Sequence, residues 1–367
     1  ILLTMKIVFD YSIFFHQKYG GISRYFINLH DQLLGMNSHA KIFAPIHTNL
    51  HLKNSNHIGN FKFYMKKYPM FTRRILKNAN YLSSKFFFRF YKPDIIHQTF
   101  FENNDYKGKF KKVITVYDLI HEIYHKDYGK LNNYKPKKFS LENSDQIICI
   151  SNKTKEDLIN IYGIDEDKIK VIYLGISKFP ELPKENTILN QKPYLLFVGD
   201  RTKYKNFENL IKAYSLSIKL QNDFNIICCG GGKLSDLEKK NIIDHKIDLS
   251  KIIQVEVDDS LLGNFYRNAV VLIYPSKYEG FGLPTLEAMS LGCPVICSEH
   301  PALIETVGNS AKTFDPENFE EIKSCIEDIV YSPSNLEDYK KAGLERCKRF
   351  SWHKCAEETL NVYNYLT

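Results

Sequence analysis

The chain has 367 residues, of which 44% are hydrophobic and 25% charged, and its formal net charge is +8. This composition excludes a disordered or fibrous protein, and the length favours two domains over a single core. No stretch approaches the roughly 18 uninterrupted apolar residues that a membrane-spanning helix needs.

Short apolar strands alternate with helical segments along the first half of the chain. A strand over residues 6–10 is followed by the turn Gly20-Gly21 and an amphipathic run over residues 22–34. Ser151 is predicted to cap a helix that starts near Lys153. Further strands are predicted over residues 40–44, 95–97, 113–116, 146–150 and 170–174. This alternation predicts βαβ units and a parallel sheet.

A second, similar half follows a linker. Residues 179–193 hold three prolines among charged and polar residues, which is typical of a linker. Strands are predicted over residues 194–198, 225–229, 270–274 and 294–297, with a helix from about Phe207 and a closing helix over residues 351–366. We therefore predict a first domain over residues 1–178, a second over 190–350 and a closing segment over 351–367. Ligands of such sheets bind at the carboxyl ends of the strands.

The eight cysteines are scattered through apolar, strand-like or helical surroundings. None belongs to a Cys-x-x-Cys pair, and a proline with two apolar residues separates Cys293 from Cys297. We interpret all of them as reduced core residues of a cytoplasmic protein, rather than as a disulfide or metal-binding set.

The positive charge is concentrated in one interval. No Asp or Glu occurs between Asp31 and Asp94, whereas lysines and arginines recur throughout, and residues 62–92 are also rich in Phe and Tyr. One interpretation is a solvated basic face over ordinary core aromatics. The other is a surface for anionic lipid headgroups or a phosphate-linked acceptor, at the periphery of a membrane. Nucleic acid is not an expected partner, because no recognition motif accompanies the charge.

A glycine loop that runs into a helix carries the chemistry of the second half. Gly280 and Gly282 uncover backbone N–H groups, and Pro284 suits the first helical position. Such a loop at a helix N-terminus binds anions through its amides and the helix dipole. Glu287, predicted within the first turn, would accept hydrogen bonds from ribose hydroxyls, and Glu279 would meet another polyol. Alternatively, both glutamates are surface acids that compensate the helix dipole.

The same two glutamates carry a family resemblance. Glu279 to Glu287 matches the Glu-x(7)-Glu signature of family four of the retaining glycosyltransferases, which have the GT-B fold. The chain resembles that family over nearly its whole length, with further similar segments at residues 288–295, 305–308, Gly20-Gly21 and Phe350-Ser-Trp352.

The resemblance implies an α/β protein of the GT-B class, with two facing Rossmann-like domains and a C-terminal helix crossing back to the first. It implies a donor nucleotide held mainly by the second domain. The donor-binding residues that follow from it are Gly20, Gly21, Gly280, Phe281, Gly282, Leu283 and Glu287.

The family places an arginine and a lysine on the donor diphosphate, after a strand-end glycine. Arg201 and Lys205 match that pattern behind Gly199. Asp200 shifts Arg201 one place from its usual position, so Lys203 competes for the role. Two cations would stabilise the charge that develops on the leaving diphosphate. They would replace a divalent metal, so no metal or other cofactor is expected.

In the first domain, Asp118 and His121 follow the strand over residues 113–116. Many relatives have a histidine directly before this aspartate, where this chain has Tyr117. The resemblance makes Asp118 and His121 the candidates for contact with the donor sugar or the acceptor.

The implied activity is retaining transfer of a hexose, with mannose-like donors favoured, from a GDP- or UDP-linked donor to a glycan or lipid-linked acceptor. It would serve surface polysaccharide synthesis, in the cytoplasm or at the inner face of the membrane. Since no enzymic nucleophile is evident, front-face substitution is implied, with catalytic roles for Glu279, Arg201, Lys205, Asp118 and His121. A GT-B nucleotide-sugar epimerase and a non-catalytic nucleotide-sugar-binding scaffold stay open as alternatives.

Overall fold

The computed structural model describes residues 5–36, 38–55, 63–125, 134–180, 192–201 and 203–367. The chain divides into two compact units, one of Ile1–Gly175 with Ser351–Thr367 and the other of Ile176–Phe350. Each unit contains a six-stranded parallel sheet, which confirms the predicted α/β class with two Rossmann-like domains. Most of the predicted linker, residues 181–191, lies outside the described residues, as does Lys62 of the basic interval.

The first unit is built on a doubly wound sheet. Its strands are β1 Lys6–Phe9, β2 His39–Ile42, β3 Ile46–His47, β4 Phe63–Tyr64, β5 Ile95–Gln98, β6 Lys111–Val116, β7 Gln146–Cys149 and β8 Ile169–Val171. The main sheet has the order β2-β1-β5-β6-β7-β8, and β3 pairs with β4 separately. The helices described here are α1 Ser12–His16, α2 Gly21–Gly35, α3 Leu50–Asn54, α4 Arg73–Tyr91, α5 Ile120–Ile123, α6 Tyr134–Glu142 and α7 Asn152–Tyr162.

The second unit repeats this plan. Its strands are β9 Tyr194–Val198, β10 Asn225–Cys229, β11 Ile252–Val255, β12 Val271–Tyr274, β13 Val295–Ser298 and β14 Lys312–Phe314, in the order β11-β10-β9-β12-β13-β14. Its described helices are α8 Phe207–Ser215, α9 Ile218–Asp223, α10 Asp236–Asp244, α11 Asp259–Asn268, α12 Leu283–Ser290, α13 Pro301–Val307, α14 Phe319–Val330 and α15 Pro333–Cys347. Among the helices of the described ranges, none is both long and apolar enough to cross a membrane.

The strands form where apolar runs are continuous, because helices cover both faces of a parallel sheet. All five residues of β9 are buried. Leu195 and Phe197 of this strand share a core with Leu210 and Ile211 of α8. Full burial of each such side chain contributes about 1.5–3 kcal/mol relative to exposure, so these apolar runs stabilise the strands against the helices that cover them.

The last helix, α16 (Trp352–Leu366), belongs to the first unit and packs against α2. The Tyr363 hydroxyl shares a 2.5 Å hydrogen bond with Nδ1 of His97. Burial lowers the pKa of His97 to about 3, so this ring is neutral. A Cβ on Gly175 would lie 2.2 Å from the backbone nitrogen of Trp352, which explains the glycine at this close approach.

All eight cysteines are free thiols, and seven of them are buried. Burial raises the pKa of Cys228 and of Cys297 to about 12. These thiols are therefore protonated side chains of the core near neutral pH.

Candidate functional site

The loop between β12 and α12 depends on one glycine. Gly282 caps the helix with a left-handed φ of 93°, and a Cβ there would lie 2.2 Å from Cδ2 of Leu303. Because this cap starts the helix at Leu283, Pro284 is the second residue of the helix, whereas we predicted that it would be the first. Glu287 is the fifth residue, so its predicted place in the first turn is wrong, and that turn holds no acidic residue.

Both predicted glutamates are nearly buried. Glu279 is 8% exposed and Glu287 3% exposed. The Tyr266 hydroxyl of α11 donates a 3.2 Å hydrogen bond to Oε2 of Glu287. Burial, followed by the charge of Glu287, raises the pKa of Tyr266 well above its ordinary value, so the phenol stays a donor. Buried carboxylates with specific partners do not fit the alternative of two surface acids.

Lys205 forms the centre of the site. Its Nζ lies 2.6 Å from Oε1 of Glu279 and donates a 2.9 Å hydrogen bond to the Tyr274 hydroxyl at the end of β12. The Lys205 side chain is 12% exposed and that of Glu279 10% exposed. Burial, the largest single influence, would lower the pKa of Lys205, but the charge of Glu279, the neighbouring Tyr274 and Tyr204 and the hydrogen bond to Glu279 together hold it well above its ordinary value. Sequence reasoning selected both residues without pairing them.

Asn206 positions Lys205, and the sequence analysis did not select it. Asn206 has a left-handed φ of 59° directly after the 3₁₀ turn Lys203–Lys205. Its side-chain amide donates to the carbonyls of Pro275, at 3.1 Å, and Pro316, at 2.7 Å. The signal available in sequence was an asparagine between a turn and a helix, since asparagine tolerates this conformation.

Arg201 holds the glycine loop that follows β10. Its Nε lies 2.5 Å from Oε1 of Glu238, and its terminal nitrogens donate to the carbonyls of Gly230, at 2.9 Å, and Gly232, at 2.8 Å. The Arg201 side chain is 3% exposed. The glycines have left-handed φ values of 95° at Gly230, 73° at Gly231 and 67° at Gly232. Arg201 therefore holds this loop in place through its hydrogen bonds. The sequence did not reveal that Arg201 contacts the loop.

Lys203, the predicted competitor of Arg201, is exposed. It lines a groove of about 750 Å³ between α8 and α10, together with Lys240, Asn241 and Lys277. Among the described residues, Lys205 and Glu279 do not line this groove. This groove is thus separate from the buried ion pair.

The remaining residues of the second unit that were predicted to bind the donor lie in and next to the loop before α12. Phe281 is 3% exposed, and its ring contacts that of Phe350 edge-on at 5.8 Å. The Thr306 hydroxyl donates a 2.5 Å hydrogen bond to the Phe281 carbonyl. Leu283 is half-buried at the start of α12, and Gly280 is buried. Side-chain packing therefore fixes the loop whose amides we singled out.

In the first unit, Asp118 and His121 follow β6 as predicted. Asp118 Oδ1 accepts a 3.2 Å hydrogen bond from the backbone N–H of Ile120, the first residue of α5. His121 lies in α5. The adjacent Glu122 pairs with Lys137 at 2.8 Å and accepts a 2.7 Å hydrogen bond from Tyr162. These contacts join Glu122 to residues that are distant in sequence, and they fix the segment that contains Asp118 and His121.

The glycine pair of the first unit begins α2. Gly20 is the residue before the helix, in an extended conformation, and Gly21 is its first residue. A Cβ on Gly20 would meet the Gln17 side chain, whereas one on Gly21 would meet nothing within 4 Å. Gly21 therefore borders open space.

Two family descriptions match the chain. Residues 178–346 match glycosyl transferases group 1, and residues 19–178 match glycosyltransferase family 4. Together these matches run from residue 19 to residue 346 and meet at the start of the second unit.

The relatives agree with these matches. The O-antigen chain mannosyltransferase B of Escherichia coli is 31% identical over 237 residues, which are 62% of this chain and 62% of that protein, so less than two thirds of the relative is spanned. Sucrose-phosphate synthase from Thermosynechococcus elongatus has a TM-score of 0.75 at 20% identity, with 99% of both chains covered. Anabaena HepE, solved with UDP-glucose, has a TM-score of 0.75 at 14% identity, with 98% of this chain and 100% of that chain covered. At these identities the structural similarity is one of fold.

Replacement of Glu279 by Gln should move the titration of Lys205 to lower pH, because the negative charge that opposes the effect of burial on the Lys205 pKa is removed. In the unchanged protein, the raised pKa of Lys205 means that its charged form stabilises the folded state. This contribution is fully present below the unfolded-state pKa and is lost as pH rises through the folded-state pKa. NMR of ¹³Cε-labelled lysine measures the change. Lys212, paired with Glu208 at 2.8 Å on α8, serves as the internal reference. An unchanged titration of Lys205 would contradict the pairing.

Replacement of Arg201 by Ala or by Lys should loosen the loop over residues 230–233. Both variants remove the donor to Oε1 of Glu238 and to the carbonyls of Gly230 and Gly232, since an ammonium cannot reproduce the guanidinium fork. We expect the free energy of unfolding to fall by about 2–3 kcal/mol, because Glu238 is partly exposed. Hydrogen–deuterium exchange of the loop should also accelerate. Lys240→Ala, on the same groove, is the control, and equal stability of all these proteins would refute the role.

Proposed function

Because the chain belongs to the group 1 and family 4 glycosyltransferases and has the GT-B fold, we propose that it transfers a hexose from a nucleotide diphosphate sugar to a glycan or lipid-linked acceptor. The observation that carries the proposal is the buried pair of Lys205 and Glu279, 2.6 Å apart, at the loop that leads into α12.

This pair suits the charge changes of glycosyl transfer. A leaving diphosphate needs a cation and oriented backbone amides, which Lys205 and the loop before α12 would supply. Within the protein, Glu279 neutralises Lys205. An arriving diphosphate would take over that role, so that Glu279 could accept hydrogen bonds from hydroxyls of the transferred sugar. The ammonium would thus remain compensated before and after the donor binds.

Arg201 has a different proposed role from the one that the resemblance implied. Its donors are engaged by Glu238 and by carbonyls of the loop after β10. We therefore assign Arg201 to positioning that loop and Lys205 to the diphosphate.

Glu287 is assigned to the ribose of the donor. Tyr266 contacts its Oε2 at 3.2 Å and so orients the carboxylate. A buried carboxylate can accept hydrogen bonds from two adjacent hydroxyls. The relative named O-antigen chain mannosyltransferase B supports a mannose-like sugar and an acceptor in surface polysaccharide synthesis. The donor is then a GDP- or UDP-linked hexose.

The first unit would complete the reaction. Asp118 and His121 are assigned to the donor sugar or the acceptor, and Gly20 and Gly21 to the diphosphate, as in the family. With no protein nucleophile assigned, the acceptor hydroxyl would attack from the side on which the diphosphate leaves and pass its proton to a leaving oxygen. The product would then retain the anomeric configuration, and Lys205 with the loop amides would stabilise the leaving diphosphate without a metal.

A transfer assay tests this function. The protein is incubated with a panel of GDP- and UDP-hexoses and isoprenoid-diphosphate glycans, and the product is identified by NMR. Lys205→Met should lower kcat/KM at least about 100-fold, the effect of removing one transition-state donor. Lys212→Met, an equally long cation on α8, should stay within about twofold.

Four outcomes would contradict the proposal. An inverted anomeric configuration would exclude front-face retention, and a rate that EDTA abolishes and Mg²⁺ restores would exclude metal independence. Full activity of Lys205→Met would remove Lys205 from the site. A sugar that changes configuration while it stays on the nucleotide would identify an epimerase instead.

A further inference from the structure

Helix α4 exposes an apolar stripe on the side that faces away from its own unit. Its buried residues are Asn80, Ser84 and Phe88. At about 100° per residue, these three lie on one face of the helix. The large apolar residues of the opposite face are exposed, namely Ile75 (68%), Leu82 (63%), Phe86 (68%) and Phe90 (66%). They lie within about 80° of one another around the helix axis. Packing inside the unit does not account for this stripe.

The turn before α4 exposes two further large apolar residues. Met70 is 80% exposed and Phe71 91% exposed. Phe71 has a left-handed φ of 65°, a conformation that costs a residue with a side chain roughly 1–2 kcal/mol. A strained backbone thus presents an aromatic ring to solvent. We call the six residues Met70, Phe71, Ile75, Leu82, Phe86 and Phe90 the α4 apolar surface.

Cations flank this surface on one side. Arg74, Lys85 and Arg89 lie beside the stripe, between about 60° and 120° from its centre around the helix. Within the described residues no carboxylate pairs with any of these three, whereas Lys77 on the buried side pairs with Glu102. The whole interval between Asp31 and Asp94 contains no acidic residue. The surface therefore combines exposed apolar area with uncompensated positive charge.

We infer that the α4 apolar surface docks α4 on the headgroup region of an anionic lipid bilayer. A helix that lies in the plane of a bilayer buries an apolar stripe rich in Phe and Leu, with Lys and Arg beside it on the phosphates. The charge complementarity selects an anionic surface, and the aromatic content suits the headgroup boundary. A contiguous exposed apolar surface of this kind otherwise exposes a protein to aggregation.

This inference goes beyond the proposed transferase activity and rests on different residues. It assigns the basic, aromatic interval to a membrane partner through its exposed stripe. Docking through α4 would hold the first unit at the surface where a lipid-linked acceptor lies.

Vesicle co-sedimentation tests the inference with the whole chain. The protein is mixed with vesicles of phosphatidylcholine alone or with 40% phosphatidylglycerol, at low and high salt. We expect at least tenfold stronger partitioning to the anionic vesicles at low salt and a marked loss at high salt. Equal partitioning to both vesicles, or no binding to either, would overturn the inference.

Matched variants locate the surface. Phe86→Ser with Phe90→Ser should lower partitioning at least tenfold, and Arg74→Gln with Lys85→Gln and Arg89→Gln should lower it roughly fivefold for each charge removed. Ile218→Ser with Ile243→Ser removes two other exposed residues, 75% and 56% exposed in the second unit, and should change nothing. Unchanged binding of the Phe86/Phe90 variant would overturn the assignment.

Two readouts keep the result specific. Thermal unfolding of each variant checks that these exposed substitutions leave the fold intact. Light scattering without vesicles detects a second copy of the chain as the occupant, and a dimer lost in the Phe86/Phe90 variant, without vesicle binding, would refute the lipid assignment. Nucleotide binding in solution is measured beside both, so that a failure of docking is distinguished from a failure of the proposed transferase site.

Discussion

The ion pair between Lys205 and Glu279 is the interaction on which the candidate site depends. Two charges that are only 12% and 10% exposed would each cost several kcal/mol if unpaired, so the surrounding chain must hold them together. Asn206 does so from one side by bonding to the carbonyls of Pro275 and Pro316, and Tyr274 from the other by accepting from the lysine. The ion pair indicates a function that needs charged groups at this position. It does not indicate a gain in stability, because an apolar pair of similar volume would stabilise the fold as well.

The glycine loops of the second unit serve this centre in different ways. Gly282 turns the chain into α12 and brings the loop amides beside the ion pair, and the buried Phe281 fixes that loop in place. The loop after β10 contains three glycines in left-handed conformations, and glycines have little intrinsic rigidity. Arg201 makes this loop rigid through hydrogen bonds to the glycine carbonyls. The family resemblance placed Arg201 on the diphosphate, but Asp200 shifts Arg201 one residue from the usual position in the family. This shift accompanies the different role that we assign to Arg201. Local rigidity, rather than a second cation, is what Arg201 contributes in our account.

Much of the fold could be predicted from the sequence, because buried parallel strands are continuous apolar runs. The predicted strands over residues 194–198 and 225–229 have the same bounds as β9 and β10. The edge strands β11 and β14 were not predicted, since they are short and partly exposed and lack such a run. The glutamates of the signature were identifiable by spacing, but their partners Lys205 and Tyr266 lie 74 and 21 residues away in sequence. Periodicity does not encode such pairings, nor the start of α12 at Leu283, which the left-handed cap at Gly282 decides.

The central claim is that the second unit binds a nucleoside diphosphate at the loop before α12, and calorimetric titration with UDP and GDP tests it most directly. The account predicts that one of the two nucleotides binds selectively and that Glu287→Ala weakens this binding at least about tenfold, as the loss of a charge-assisted hydrogen bond to ribose should. Glu320→Ala, which removes an exposed glutamate from the first turn of α14, should leave the affinity unchanged. Absence of binding by either nucleotide at millimolar concentration, or equal affinities of the Glu287 and Glu320 variants, would contradict the account.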